Sequence, residues 1–149
     1  PLPQNFTLSY DLVAAQNFTW GARGLTMQLS KETSPGYAES YLILKLRPGF
    51  DGRDGEAEFE TSFPSPPGYS NGTKWYVAPG FSNNKKNNLI AVTIKKMDEK
   101  LQVFIDNTKI AEYEKAIPAA HLFNAISFTS SNAGENDKFY ISNIKITKD

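Results

Sequence analysis

Apolar and polar residues alternate with a period of two along most of this chain, the signature of strands buried on one face only. Phe6, Leu8, Tyr10 and Leu12 alternate with Thr7, Ser9, Asp11 and Val13, and the sets Leu25-Met27-Leu29 and Leu42-Leu44-Leu46 repeat the pattern. Ala57, Phe59, Thr61 and Phe63 follow, with Glu56, Glu58, Glu60 and Ser62 assigned to the opposite face. Ile90-Val92-Ile94, Leu101-Val103-Ile105, Ile126 with Phe128, and Phe139 with Ile141 predict further strands, and shorter ones are expected near Trp75–Val77 and Ile110–Tyr113. In the last segment the phase slips from Phe139 and Ile141 to Ile144 and Ile146, so one extra residue, a β-bulge, is predicted at Ser142-Asn143. Met97-Asp98-Glu99-Lys100 and Asp106-Asn107 read as hairpin connections, and Pro35-Gly36, Pro48-Gly49, Pro67-Gly68 and Pro79-Gly80 punctuate the rest. The best helical candidate, Glu112 to Leu122, contains Pro118, which breaks a helix interior, so it reads as a strand end followed by a loop. About ten half-buried strands in one compact unit imply two packed antiparallel sheets, an all-β sandwich spanning residues 1–149 as a single domain.

Composition narrows the chemistry. The 149 residues carry 16 basic and 16 acidic side chains. That balance argues against a nucleic-acid partner, which calls for a basic surplus. There is no cysteine and one histidine, His121, which excludes disulfides, iron–sulfur clusters, thiolate zinc sites and multi-histidine metal centres. No apolar run approaches the roughly 20 residues of a membrane-spanning helix. The Pro1-Leu2-Pro3 start and the strand-like ending Ile144–Thr147 suggest a domain excised from a longer protein.

The stretch Leu89-Ile90-Ala91-Val92-Thr93-Ile94, followed by Leu101-Gln102-Val103-Phe104-Ile105-Asp106-Asn107-Thr108-Lys109-Ile110-Ala111, resembles the laminin-G/concanavalin A-like jelly roll. That superfamily carries an apolar strand, a hairpin of the type VYVDG-x-K-V and a closing strand. Asn107 stands where glycine is usual, and asparagine also enters left-handed conformations. Phe139 to Ile146 is similar to the closing strand of such domains in bacterial envelope proteins, and Leu2 to Leu12 resembles segments that precede OmpA-like domains. The resemblance implies a jelly-roll fold and a periplasmic or cell-surface location. A glycan or an envelope protein is the implied partner. The fold also hosts lectins, glucanases and inert spacers, so function has to be argued from a site.

Four groups of residues are candidates. Glu56, Glu58 and Glu60 share one face of one strand, and retaining glycosidases need two carboxyls about 5–5.5 Å apart. The laminarinase-type glucanases of this superfamily place aspartate where Glu58 stands, and a solvated outer face explains the three glutamates equally well. Asp51 and Asp54 lie in the glycine-rich segment Phe50–Glu56, a possible calcium loop, although Arg53 opposes a cation there and Gly-Asp sequences also make ordinary turns. Between Phe63 and Asn88 aromatics and amides accumulate, the two surfaces a sugar requires: flat apolar faces and paired hydrogen-bonding groups. Trp75, Tyr76 and Tyr69 are the stacking candidates, joined by Trp20, and Asn83 and Asn87 are the polar ones. Packing of Trp75 and Tyr76 within the sandwich, one on each side of an edge strand, is the competing reading, and Asn83, Asn84, Asn87 and Asn88 around Lys85-Lys86 read as a solvated hairpin tip. His121 reads as a loop histidine, since no Gly-x-Ser-x-Gly elbow accompanies it. The sequence thus points to a non-catalytic sandwich that binds carbohydrate or serves as an interaction or spacer domain, with a glycoside hydrolase built on Glu56/Glu58/Glu60 as the alternative.

Overall fold

Ten strands form where the alternation predicts them: β1 Phe6–Ala14, β2 Gly24–Ser34, β3 Tyr37–Arg47, β4 Gly55–Ser62, β5 Gly72–Ala78, β6 Asn88–Met97, β7 Lys100–Ile105, β8 Thr108–Tyr113, β9 Ala125–Ser131 and β10 Phe139–Lys148. The structure, a computed structural model, describes residues 1–19, 24–34, 37–62, 67–69, 72–131 and 134–149. The strands form two five-stranded antiparallel sheets, ordered β10-β1-β6-β7-β8 and β5-β4-β3-β2-β9. No helix occurs among the described residues, and the stretch after β8 is a series of turns leading past Pro118.

The core lies between the sheets. One supplies Phe6, Leu8, Tyr10, Leu12, Ile90, Val92, Ile94, Leu101, Val103 and Ile105, and the other Leu25, Met27, Leu29, Leu42, Leu44, Leu46, Ala57 and Phe59. All are inward positions of the period-two pattern. Burying each large side chain contributes about 1.5–3 kcal/mol, so the alternation fixes which face of every strand turns inward. A slip of one residue would turn a row of these side chains into water.

The slip predicted at the chain's end is present. Ser9 pairs with Lys145 but Asp11 pairs with Ser142, so Tyr10 opposes two residues, Asn143 and Ile144. Asn143 takes a positive φ of 53°, and its side-chain amide donates to Asp11 Oδ2 at 2.6 Å. The bulge bends this edge strand, leaving Ile144 half exposed while Ile146 returns to the core margin. Asp106 and Asn107 both have positive φ, 48° and 64°, as a tight two-residue hairpin requires.

Among the polar groups that enter the interior are the Lys96 ammonium and the Tyr10 hydroxyl. Lys96 occupies an inward position at the end of β6, and its ammonium donates to the carbonyls of Gln4 (2.7 Å) and Asp98 (3.0 Å). Loss of hydration lowers its pKa, and the nearby Asp98 carboxylate opposes that shift. Tyr10 is fully buried against the edge of the Phe128 ring, with centroids 5.2 Å apart, and its hydroxyl finds no partner among the described residues. A buried hydroxyl without a hydrogen bond costs about 1–3 kcal/mol. Tyr10→Phe is therefore expected to stabilise the fold by about 1–2 kcal/mol, raising Tm by about 3–6 °C in a thermal melt. A lower Tm would show that the hydroxyl is bonded.

The β5/β8 side of the sandwich is closed by tyrosines. Tyr113 stacks on Phe59 with centroids 5.2 Å apart, its hydroxyl bonds that of Tyr76, and the Lys74 ammonium lies 5.0 Å from its ring centroid. Burial, followed by the Tyr76 hydrogen bond, pushes the Tyr113 pKa up from its ordinary value of 10.0, and burial does the same to Tyr10. With folded pKa values above the unfolded ones, this stability is fully present below pH 10 and is lost as pH rises beyond it. Tyr113→Phe is expected to flatten the fall of stability between pH 10 and 11.5 relative to wild type, measured by urea unfolding. Parallel curves would contradict the assignment.

Candidate functional site

The hairpin that joins β3 to β4 sets the register of the site. Lys45 opposes Glu58, and Glu58 opposes Trp75 on β5. Two residues along, Arg47 opposes Glu56, which opposes Val77. Residues opposite one another in antiparallel strands share a face. These six side chains therefore stand together on the outer face, because Leu44, Leu46, Ala57 and Phe59 take the inner one. Trp75, on the edge strand, is 63% exposed and Val77 58%.

Between them is a cleft of about 290 Å³ lined by Lys45, Arg47, Glu56, Glu58 and Trp75. That is near the lower end of the ~300–1,000 Å³ typical of small-molecule sites. The Arg47 guanidinium donates to Glu56 Oε2 at 2.6 Å, and Lys45 Nζ lies 3.9 Å from Glu58 Oε1. Beyond them the Tyr41 hydroxyl donates to Glu60 Oε1 at 3.1 Å. Surface pairs of this kind are worth about 0–1 kcal/mol each, so their effect here is to hold four side chains in place more than to stabilise the fold. The cleft presents one flat apolar ring, donors from Lys45 and Arg47, and acceptors from Glu56 and Glu58, with charges that cancel.

The structure gathers only part of the expected set. Trp75, Glu56 and Glu58 meet in the cleft, and Glu60 stands one row away. The three glutamates share the outer face as the alternation predicts, each beside a cation or a hydroxyl. Tyr76 does not join Trp75: one residue along the edge strand it takes the other side, inward, half-buried and bonded to Tyr113, so packing within the sandwich holds for Tyr76 and not for the exposed Trp75. Tyr69 lies at the other end of the sandwich, donating to the Glu99 carboxylate, and that hydrogen bond raises its pKa. Trp20 lies outside the described residues.

Asn83 is a buried latch, not a contact surface. Its Nδ2 donates to Phe18 O at 3.0 Å, its Oδ1 accepts from Asp51 N at 3.1 Å, and its backbone bonds Gly49 and Asn17. Asn88 is also buried, its Oδ1 accepting from Ser82 N at 3.1 Å. The expected solvated tip is therefore partly a stitched loop, in which Asn84 and Asn87 alone of the four amides are exposed. Asp54 Oδ1 accepts from Gly80 N at 2.9 Å and Asp51 takes a positive φ of 57°, both ordinary turn chemistry. Among the described residues no three His, Cys, Asp or Glu side chains are grouped as metal ligands. His121 Nε2 meets the buried Ser40 hydroxyl at 2.6 Å, with its ring edge-on to Phe123.

Lys45, Arg47 and Val77 are site residues that the sequence reading missed. A signal existed: Lys45 and Arg47 alternate with Leu44 and Leu46, and so share a face spaced like Glu56 and Glu58. Only the β3–β4 register turns the two alternations into one site.

No protein-family model matches the chain, and no curated protein shows significant similarity to it. Solved structures do share its fold. A tetrameric galectin from the ball sponge Cinachyrella sp. superposes with a TM-score of 0.59 at 10% identity, covering 98% of this chain and 94% of that one. Congerin II with lactose and MES bound gives 0.56 at 12% identity, covering 95% and 90%. The carbohydrate-binding module CBM66 from Bacillus subtilis gives 0.53 at 10% identity, covering 95% and 74%. These are concanavalin A-like jelly-roll sandwiches, the fold the resemblance implies.

Proposed function

We propose that this chain is a non-catalytic carbohydrate-binding module whose ligand lies on the outer face of β3, β4 and β5. One observation carries the reading: the Trp75 ring stands exposed across the register from the Glu58–Lys45 pair and beside Arg47–Glu56. An indole face suits the C–H face of a sugar ring, and the fixed donors and acceptors beside it suit its hydroxyls. Structures of the same fold include one solved with lactose and one described as a carbohydrate-binding module, which supports the reading. Glu56 and Glu58 then act as hydroxyl acceptors held by Arg47 and Lys45. A periplasmic or cell-surface setting belongs to the same proposal and rests on the resemblance of Leu2–Leu12 and Phe139–Ile146 to envelope-protein segments.

A thermal-shift screen against soluble neutral and acidic polysaccharides, each with and without calcium, tests it. A ligand that binds only the folded state stabilises by about 2.7 kcal/mol at a hundred times its Kd, a Tm rise of several degrees. The expected result is a rise with one glycan class, unchanged by calcium. A flat screen would overturn the reading in favour of a spacer or protein-interaction domain.

A further inference from the structure

The outer face of β3, β4 and β5 is made of rows that run across the strands, and the rows differ in charge. Val77–Glu56–Arg47 is balanced, with the guanidinium on Glu56 Oε2 at 2.6 Å. Trp75–Glu58–Lys45 continues through Thr26 to Thr129, and its two charges stand 3.9 Å apart, beyond hydrogen-bond reach. Thr73–Glu60–Ile43 continues through Gln28 to Ser127 and contains no cation. Lys74, between Thr73 and Trp75, is turned inward over the Tyr113 ring. Glu60 accepts from the Tyr41 hydroxyl at 3.1 Å. The half of the site around Trp75 thus carries two carboxylates against one ammonium.

Glu58 has the more telling surroundings. Its side chain is only 17% exposed, and no hydrogen bond reaches its carboxylate from any described residue. A carboxylate withdrawn from water in this way binds most strongly a donor that brings a charge of its own. Glu58 stands opposite Trp75 in the register, where cross-strand Cβ atoms lie about 4.5–5.5 Å apart. A sugar ring on the exposed indole therefore has its rim beside this carboxylate. The indole face itself attracts cations.

We propose that the preferred ligand is an amino sugar, a pyranose stacked on Trp75 whose ring ammonium binds Glu58, with Glu60 next to it on β4. This rests on the carbohydrate reading and sharpens it. A neutral sugar still stacks and offers its hydroxyls, and binds more weakly. An acidic sugar meets the excess carboxylate, and the Arg47 guanidinium that could receive it is held by Glu56. The expected order of affinity is cationic, then neutral, then acidic.

NMR titration with matched methyl glycosides tests it, glucosamine against glucose and galactosamine against galactose, at about pH 5.5, where a ring amine is protonated. In at least one pair the amino sugar is expected to bind at least about tenfold tighter, a charge-assisted bond replacing a neutral one. Salt at about 0.5 M is expected to shrink that ratio. Glu58→Gln is expected to bring it to within about threefold of one, and Glu60→Gln, which leaves the Glu58–Lys45 pair in place, to lower it part of the way. The ratio is read within each variant, so a general loss of affinity cannot imitate the effect. A wild-type ratio near one, with the Trp75 indole shifting, would overturn the amino-sugar assignment and leave the carbohydrate reading standing. A ratio that Glu58→Gln leaves intact would overturn it too, by placing the ammonium elsewhere. So would the absence of any shift with all four glycosides, and a flat polysaccharide screen beside it would take the carbohydrate reading as well.

Discussion

Trp75→Ala is expected to weaken glycan binding at least about thirtyfold while leaving the melting temperature within about 2 °C of wild type. Truncating an aromatic anchor at the centre of a binding site costs about 2 kcal/mol or more, and each 1.4 kcal/mol is tenfold in Kd. The fold should barely respond. The ring is 63% exposed on an edge strand, and the inward position beside it belongs to Tyr76. Substitutions at exposed positions typically change stability by no more than about 0.5 kcal/mol. Trp75→Phe, which keeps an apolar face of smaller area, is expected to fall between the two. Isothermal titration with the glycan found by screening, paired with a thermal melt, reads both quantities. Unchanged affinity would remove Trp75 from the site, and a large loss of Tm would place the ring in the core.

Gly49→Ala is expected to have the largest effect on stability, and to damage binding through the scaffold. A Cβ on Gly49 would lie 2.1 Å from the carbonyl oxygen of Arg53 and 2.2 Å from that of Asp54. Both are backbone atoms and cannot rotate aside. Gly49 also donates to Phe81 O and accepts from Asn83 N, both at 2.7 Å, so moving it strains the loop that Asn83 latches. A steric conflict of this kind costs about 3 kcal/mol, a fall in Tm of about 10 °C for a chain of this length. The turn 48–54 connects Arg47 to Glu56, so opening it separates the pair that floors the cleft. Affinity should fall together with Tm, unlike the Trp75→Ala pattern. A Tm within 2 °C of wild type would show that the turn can absorb a methyl group.

Those two substitutions show what the sequence made legible. Alternation located all ten strands because each strand buries one face only, and even the weakly marked Trp75–Val77 and Ile110–Tyr113 are strands. The phase slip from Ile141 to Ile144 announced the bulge, since an extra residue is what restores Ile146 to the inner face. The site was legible only in part. Period two places Trp75 and Tyr76 on opposite faces but does not say which face is outside. With so few apolar residues on β5 the inward choice rested on Tyr113, a neighbour from the other sheet. Asn83 looked like a surface amide because asparagine is common in exposed turns, whereas here it is buried and its two side-chain bonds tie down backbone groups of two other loops. Lys45 and Arg47 stayed hidden for a different reason: each strand was read alone, and a site that lies across strands exists only once the register is known.

Sugar bound on the outer face would lie against the Trp75 indole. The most direct test is a titration followed by ¹H–¹⁵N correlation NMR, with the Trp75 indole N–H assigned from the Trp75→Phe spectrum. Saturable shifts of that indole and of the backbone amides of residues 45–47, 56–58 and 75–77 are expected, with the inward-facing tyrosines and the β6–β7 hairpin undisturbed. Shifts that saturate around Tyr69 and Glu99, or on the sheet containing β1 and β6, with the Trp75 signal unmoved, would contradict it.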